Sequence, residues 1–251
     1  MRQLCPPGGP PDLAALYGYP TGLNRAWVRA NMIESIDGAA AVDGRSGGLS
    51  GPADREVFGL LRALADVILV GAGTARAEKY RPARIRPQWA GLRAGRPAAP
   101  PIAVLSGRLD LDLDGPLLTA AAPGARTIVI TSAAAPADRR AAAAAHAEVI
   151  LAGDRQVDVA AAVGALAHRG QHRILAEGGP HLLGQLARTG LLDELCVTVS
   201  PVLAGGPAGR IIQGPDGGAA PARAELAHVL ADRSYLFCRY LISAGPGSRP
   251  D

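Results

Sequence analysis

Leu175-Ala176-Glu177-Gly178-Gly179-Pro180-His181-Leu182-Leu183-Gly184 decides how this chain is read. The run from Arg173 to Ala176 has strand length and apolar character, Gly178-Gly179 interrupts it, and Pro180 stands where a helix would begin. Proline suits the first helical position because its ring presets φ and the N–H it lacks would have no intrahelical partner anyway. Strand, paired glycine and helix start together place backbone N–H groups at the positive end of a helix dipole, with no Cβ to keep a ligand away. That arrangement suits phosphate, so a dinucleotide or another phosphorylated molecule is the expected ligand. A plain tight turn would also use two glycines. Glu177 argues for more than a turn, since open α/β sheets bind their ligands at the carboxyl ends of strands.

Working outward, the same alternation continues on both sides. Apolar runs bounded by Gly, Pro or polar residues predict strands at Trp27–Met32, Val67–Gly71, Ile102–Leu105, Thr127–Thr131, Val149–Leu151, Arg173–Ala176, Glu194–Ser200 and Tyr235–Ile242. Helices are expected at Ala53–Ala65, Pro136–Ala145, Val157–Arg169 and Pro180–Thr189. Strands alternate with helices until the last two, which follow one another without a helix. The pattern predicts an α/β fold with a mostly parallel mixed sheet, flanking helices and an antiparallel edge. Residues 1–23 read as an N-terminal arm with a short helix near Asp12–Tyr17, residues 24–243 as one domain, and residues 244–251 as a disordered tail. The Pro-broken, Arg-rich stretch Arg81–Pro97 reads as a long functional loop.

Composition narrows the function. Among 251 residues, 48% are hydrophobic and only 4% aromatic, enough for a sizeable core built from Ala, Val, Leu and Ile. The net charge of +4 suits an anionic ligand, but the arginines are scattered and no basic tail or basic-aromatic repeat is present, which argues against nucleic acid. Lys79 is the sole lysine, so Schiff-base chemistry is not expected. Cys5, Cys196 and Cys238 form no Cys-x-x-Cys pair, which fits a reducing cytoplasm and no metal cage. No apolar run reaches the ~20 residues of a membrane span, and the first residues lack the apolar core of a signal peptide.

A second constellation lies toward the amino end. Asn31 is followed by Ser35-Ile36-Asp37-Gly38, then by a Gly-x-Ser loop at Ser46, by Leu60-Leu61-Arg62-Ala63 and by Gly71-Ala72-Gly73-Thr74. With Glu177-Gly178-Gly179-Pro180, and Leu192-Asp193-Glu194-Leu195 ahead of Pro201, these pieces stand in one fixed order. In that order the chain resembles the pyrimidine reductases of riboflavin biosynthesis, the RibD C-terminal domain family, whose fold is dihydrofolate-reductase-like. The resemblance covers residues 24–243. It implies reduction of the ribosylamino side chain of a phosphorylated pyrimidine to a ribitylamino chain, with hydride from NADPH, in a homodimer.

Carried over position by position, the resemblance assigns substrate contacts to Asn31, Ser46, Arg62, Arg84 and Glu177, with Asn31, Asp37 and Glu177 as candidate catalytic groups. Cofactor contacts fall to Ile33, Gly48, Thr74, Glu78, Ser106 and to Gly178, Gly179, Pro180, His181, Leu182, Leu183 and Gly184. Arg108 is the candidate partner of a 2′-phosphate, since guanidinium matches phosphate oxygens bidentately. Asp37-Gly38 also reads as the plain turn after the first long strand.

Two departures stand out. Asn31 occupies a position where many bacterial relatives carry Lys, and residues 77–84, Ala-Glu-Lys-Tyr-Arg-Pro-Ala-Arg, keep an acid at Glu78 but lose the family's Asp-Pro and Leu-Thr elements. Arg62, at the end of an apolar helix, is the expected phosphate ligand of the substrate, and the altered run leaves open whether Arg81, Arg84 or neither adds to it. His146-Ala147-Glu148 mimics half of a zinc deaminase motif, but no Pro-Cys-x-x-Cys follows, so no metal is expected. A same-fold reductase of another heterocycle, such as dihydrofolate, and a non-catalytic nucleotide-binding protein remain as alternatives.

Overall fold

The structure, a computed structural model, describes residues 1–214 and 222–243. The tail expectation for 244–251 lies outside the described residues. In chain order the elements are β1 (Arg2–Cys5), α1 (Leu13–Leu16), β2 (Trp27–Ser35), α2 (Pro52–Leu64), β3 (Val67–Gly71), α3 (Ala72–Ala77), β4 (Ile102–Leu105), α4 (Pro116–Thr119) and β5 (Ile128–Thr131). They continue with α5 (Ala137–His146), β6 (Glu148–Leu151), α6 (Val159–His168), β7 (Arg173–Ala176), α7 (Pro180–Arg188), β8 (Glu194–Ser200), β9 (Ala224–Asp232) and β10 (Tyr235–Ile242). The fold is α/β, with a mostly parallel sheet, an antiparallel edge and flanking helices. Two compact units divide the chain: the first takes Met1–Tyr19, Trp27–Leu61 and the described residues from Ala176 onward, the second Pro20–Ala26 and Arg62–Leu175.

In the second unit the strand order is β7-β3-β4-β5-β6. Ile68 lies beside Ile102, Val104 beside Val129 and Ile130 beside Ile150, all in parallel pairs. Val67, Ile68, Leu69 and Val70 are each fully buried. Successive strand residues point to opposite faces, so both faces of β3 are covered and its sequence reads as a continuous apolar run. The Arg81–Pro97 stretch is not all loop: residues Pro87–Arg93 form a 3-10 helix, and Arg93 and Arg96 are spent on backbone carbonyls. Arg93 Nη1 donates to the carbonyls of Ala63 at 3.2 Å and Ala65 at 2.6 Å, and Arg96 Nη1 donates to Leu64 O at 2.9 Å. These carbonyls close α2, where helix geometry leaves acceptors without partners and the dipole favours cations. Burial, with Arg96 alongside, pushes the Arg93 guanidinium down to about 10.

In the first unit the order is β1-β9-β10-β8-β2. β2 and β8 run parallel with Arg29 beside Glu194, while β8–β10, β10–β9 and β9–β1 are antiparallel. The antiparallel edge is wider than the sequence suggested, because β9 and β1 add to it. The arm expected over residues 1–23 thus supplies an edge strand as well as the short helix α1, capped by Asp12 through Ala15 N at 3.1 Å. β9 turns back into β10 through Arg233-Ser234, both at positive φ (46° and 71°). Two-residue hairpins need that conformation, and Gly or Asn usually supplies it.

An ionic cluster occupies the inner face of this unit. Glu194, fully buried, accepts from Arg29 Nε at 2.5 Å and Nη2 at 3.1 Å, from Arg239 Nε at 2.7 Å and Nη2 at 3.1 Å, and from Trp27 Nε1 at 3.1 Å. Burial alone would raise the Glu194 carboxyl, and the two guanidinia override it, holding it below the usual range. Arg239 Nη1 also donates to Leu16 O at 2.8 Å, and the Tyr19 ring lies 4.0 Å from the Arg29 guanidinium carbon.

Candidate functional site

Helix α7 begins as its sequence requires. Gly179 is the N-cap, Pro180 follows it, and the first intrahelical bond runs from Leu183 N to Gly179 O at 3.0 Å. Proline has no N–H, so Gly179, His181 and Leu182 carry the backbone donors without an intrahelical partner. Gly178 has φ of +91°, a conformation that a Cβ disfavours, and the Gly178–Gly179 peptide is cis. A Cβ at Gly178 would stand 3.4 Å from Met32 Sδ on β2. Leu182 and Leu183 bury their side chains, and a methyl on Gly184 would fall on the carbonyl oxygen of Gln213. The assigned span therefore divides: Gly178 to Leu182 form the donor end, while Leu183, whose N–H is spent, and Gly184 lie behind it.

On β2, Asn31 and Ile33 share a face with buried Arg29 and Ser35, beside Cys196 and Thr198 of β8. Both are half-buried, whereas Glu177, at the end of β7, is buried. Ser46 and Gly48 bound a 3-10 turn in which Ser46 O accepts from Leu49 N at 2.9 Å, and a Cβ at Gly48 would stand 3.1 Å from Val42 Cβ. Ser50 Oγ donates to Asp54 Oδ2 at 2.6 Å at the start of α2.

Asp37 is fully committed to backbone and hydroxyl partners. Its carboxylate accepts from Ser35 Oγ at 2.5 Å, Ala204 N at 3.0 Å and Gly205 N at 2.7 Å. Those donors, the Ser35 hydroxyl first, hold its pKa down at about 2. Successive N–H groups around a glycine at positive φ form a concavity for an anion, and here a side chain fills it. Gly205 has φ of +62° and Gly206 of +67°. Around them a cleft of ≈ 580 Å³ is lined by Glu34, Asp37, Gly38, Gly205, Arg210 and Ile212, among others. Burial raises the Glu34 carboxyl. The sequence reading assigned no role to Gly205, Gly206 or Arg210, although the glycine pair after Pro201 stands out in the sequence.

The remaining assigned residues belong to the second unit. Thr74 sits in the first turn of the short helix α3 and not in a bare turn, and Glu78 closes that helix through Glu78 N to Thr74 O at 2.9 Å. Ser106 is buried just past β4, its N–H bonded to Ile130 O at 2.9 Å, and Arg108 is exposed. Arg62, in the last turn of α2, lies with its guanidinium carbon 5.6 Å from the centre of the Tyr80 ring, while Arg81 and Arg84 are exposed. Among the described residues, no group of three or more His, Cys, Asp or Glu side chains gathers to hold a metal ion. His146 ends α5, with its Nε2 at 3.9 Å from Asp114 Oδ1.

Strand order, the glycine-opened helix α7 and the antiparallel edge give an α/β fold of the dihydrofolate-reductase-like class. The sequence pattern of the RibD C-terminal domain matches residues 26–236, and the chain belongs to that family. It is 30% identical over 188 residues to the 2,5-diamino-6-ribosylamino-4(3H)-pyrimidinone 5′-phosphate reductase of Archaeoglobus fulgidus, covering 72% of this chain and 83% of the relative. The enzyme of that name from Methanothermobacter thermautotrophicus is 29% identical over 218 residues, covering 87% and 96%. Among solved structures, a pyrimidine reductase-like protein from Corynebacterium diphtheriae superposes with a TM-score of 0.80 at 28% identity, over 88% of this chain and 93% of that one.

Proposed function

We propose that this chain is an NADPH-dependent oxidoreductase that converts a ribosylamino-pyrimidine 5′-phosphate to the ribitylamino form. The observation that carries the reading is the start of α7, where three backbone donors without intrahelical partners follow a glycine whose φ a side chain would strain. That end fits the diphosphate of a dinucleotide: it is compact, cationic by its dipole and free of Cβ at two positions. When bound, the reduced nicotinamide supplies hydride to the sugar carbon attached to nitrogen. The chain's own residues bind and orient. Gly178, Gly179, His181 and Leu182 hold the diphosphate, with Ile33, Gly48, Thr74, Glu78, Ser106 and Arg108 as further cofactor contacts. Asn31, Ser46 and Glu177 contact the substrate, and Arg62 takes its phosphate by charge-assisted hydrogen bonds. Arg81 and Arg84 remain the alternatives for that phosphate.

A homodimer fits the outer face of the first unit. Leu236, Cys238 and Tyr240 lie opposite the buried Phe237 and the half-buried Arg239, and their cross-strand partners are Val199, Val197 and Leu195. An outward antiparallel face is ordinarily polar. This one is apolar, and Leu226 and Leu236 are 40% and 38% exposed. Strand β8 is internal, so its outward side chains and not its edge support association. No helix among the described residues is long and apolar enough to cross a membrane. We place the enzyme in the cytoplasm.

Titration of NADPH against wild type and Gly179→Val tests the site. Charge-assisted hydrogen bonds of about 1.5–3 kcal/mol each make a loss of about a hundredfold the expected result. A folded variant binding NADPH normally would reduce the glycine pair to a turn. The departures at residues 77–84 support a second reading, a same-fold reductase of another heterocycle, and NADPH consumption with pyrimidine and pteridine substrates separates the two.

A further inference from the structure

Residues 201–214 join the turn after β2 to the start of α7, which the proposed reaction uses, and the bonds between them suggest a role for Asp37 that proton transfer would not require. At one end the segment is stitched to the turn after β2. Ile36 N donates to Val202 O at 2.9 Å, Ala40 N donates to Gly209 O at 2.9 Å, and Ala204 and Gly205 donate to the two oxygens of Asp37. At the other end it lies along α7. Gln213 N donates to Pro180 O at 3.0 Å, and a side chain at Gly184 would collide with the Gln213 backbone. A Cβ at Gly214 would likewise meet the Arg188 guanidinium.

We infer that Asp37 is a positioning residue: by holding Ala204 and Gly205 it sets the course of segment 201–214, and through Gln213 it fixes the donor end of α7. The inference rests on the reading of that end as the diphosphate site. Three features support it. Both carboxylate oxygens are already engaged by N–H donors, which leaves a poor proton acceptor. Gly205 and Gly206 take positive φ, so the segment turns where Asp37 grips it. The segment reaches α7 at Pro180, the residue between the donors Gly179 and His181, and at Gly184, where only hydrogen leaves room for the Gln213 carbonyl.

Hydrogen–deuterium exchange of wild type, Asp37→Ala and Asp37→Asn, together with NADPH titration and steady-state kinetics, tests this. In Asp37→Ala the amide of Gln213, far from the substitution along the segment, should exchange about tenfold faster or more, and NADPH should bind about tenfold more weakly, the effect of losing hydrogen bonds to a charged group. Asp37→Asn retains one acceptor oxygen and should fall between the two, with a pH profile of the same shape as wild type. The inference is overturned if exchange quickens only at Ala204 and Gly205, since Asp37 would then shape its own turn and nothing beyond. It is also overturned if Asp37→Asn abolishes turnover while NADPH binding stays intact, the mark of a proton-transfer group. Should Asp37→Ala not fold, the Asparagine variant carries the same exchange comparison at smaller amplitude. Wild type that fails to bind NADPH would instead remove the diphosphate reading, while exchange at Gln213 would still decide whether Asp37 governs the segment.

Discussion

In the second unit β3 buries four consecutive apolar residues, Val67 to Val70, whereas in the first β2 and β8 bury Arg29 and Glu194 just as completely. The apolar strand is stabilised by removal of area from water, which any side chain of similar size supplies. A buried carboxylate is different. Its desolvation is offset only if the partners sit where the structure puts them, and two guanidinia and an indole N–H here fill its acceptor positions. The pairing of Arg29 with Glu194 holds in one register of β2 against β8, and a slip of one residue would turn Arg29 to the other face. The first unit's core is thus specified by partners, the second's by volume.

The largest break in that contrast should come from Glu194→Ala, which leaves the buried Arg29 and the half-buried Arg239 without their carboxylate. Removing one partner of a buried pair costs about 3–5 kcal/mol, so urea unfolding should show a loss of that order. A loss under about 1 kcal/mol would mean that the cluster opens to water and is not a core at all. Ile68→Val in β3 removes one buried methylene and should cost about 0.5–1.5 kcal/mol by the same measurement. A cost as large as that of Glu194→Ala would erase the distinction between the units.

A further effect sharpens the comparison through pH. Burial, and then the nearby Arg239, push the His228 imidazole down to about 4, from an unfolded value near 6.5. The unfolded chain binds the proton first on acidification, so stability is full above that unfolded value and declines as pH falls from about 6.5 toward 4. His228, edge-on to Tyr17 with ring centroids 4.7 Å apart, ties this slope to the first unit. His228→Gln should flatten the decline in that window, read as urea midpoints across pH. An unchanged slope would assign the decline to other groups.

The strands at Val67–Gly71, Ile102–Leu105, Arg173–Ala176, Glu194–Ser200 and Tyr235–Ile242 were legible to the residue, because each is an apolar run closed by a breaker. β9 was not. Ala224–Asp232 carries helix-forming Ala, Leu and Glu, and its turn uses Arg233-Ser234 where a glycine or asparagine would have announced a hairpin. The roles of Arg93 and Arg96 were hidden for a related reason, since their partners at Ala63–Ala65 lie some 30 residues back. At the site, the start of α7 could be read because Gly178, Gly179 and Pro180 carry their conformations with them. Asp37 could be read as a turn residue or a candidate catalytic group, but not by its partners, because Ala204 and Gly205, its donors, stand 167 and 168 residues away. Conformation that is local to a residue is visible in sequence; partnership across the chain is not.

The most direct test of the account is hydride transfer itself. Purified protein would be given 2,5-diamino-6-ribosylamino-4(3H)-pyrimidinone 5′-phosphate and NADPH deuterated at the transferred position of the nicotinamide, and the product would be examined by mass spectrometry and NMR. The account requires NADPH oxidation with one deuterium appearing on the former sugar carbon bonded to nitrogen, now part of a ribityl chain. Recovery of unreduced substrate with NADPH intact, under conditions where the folded protein is verified, would contradict it.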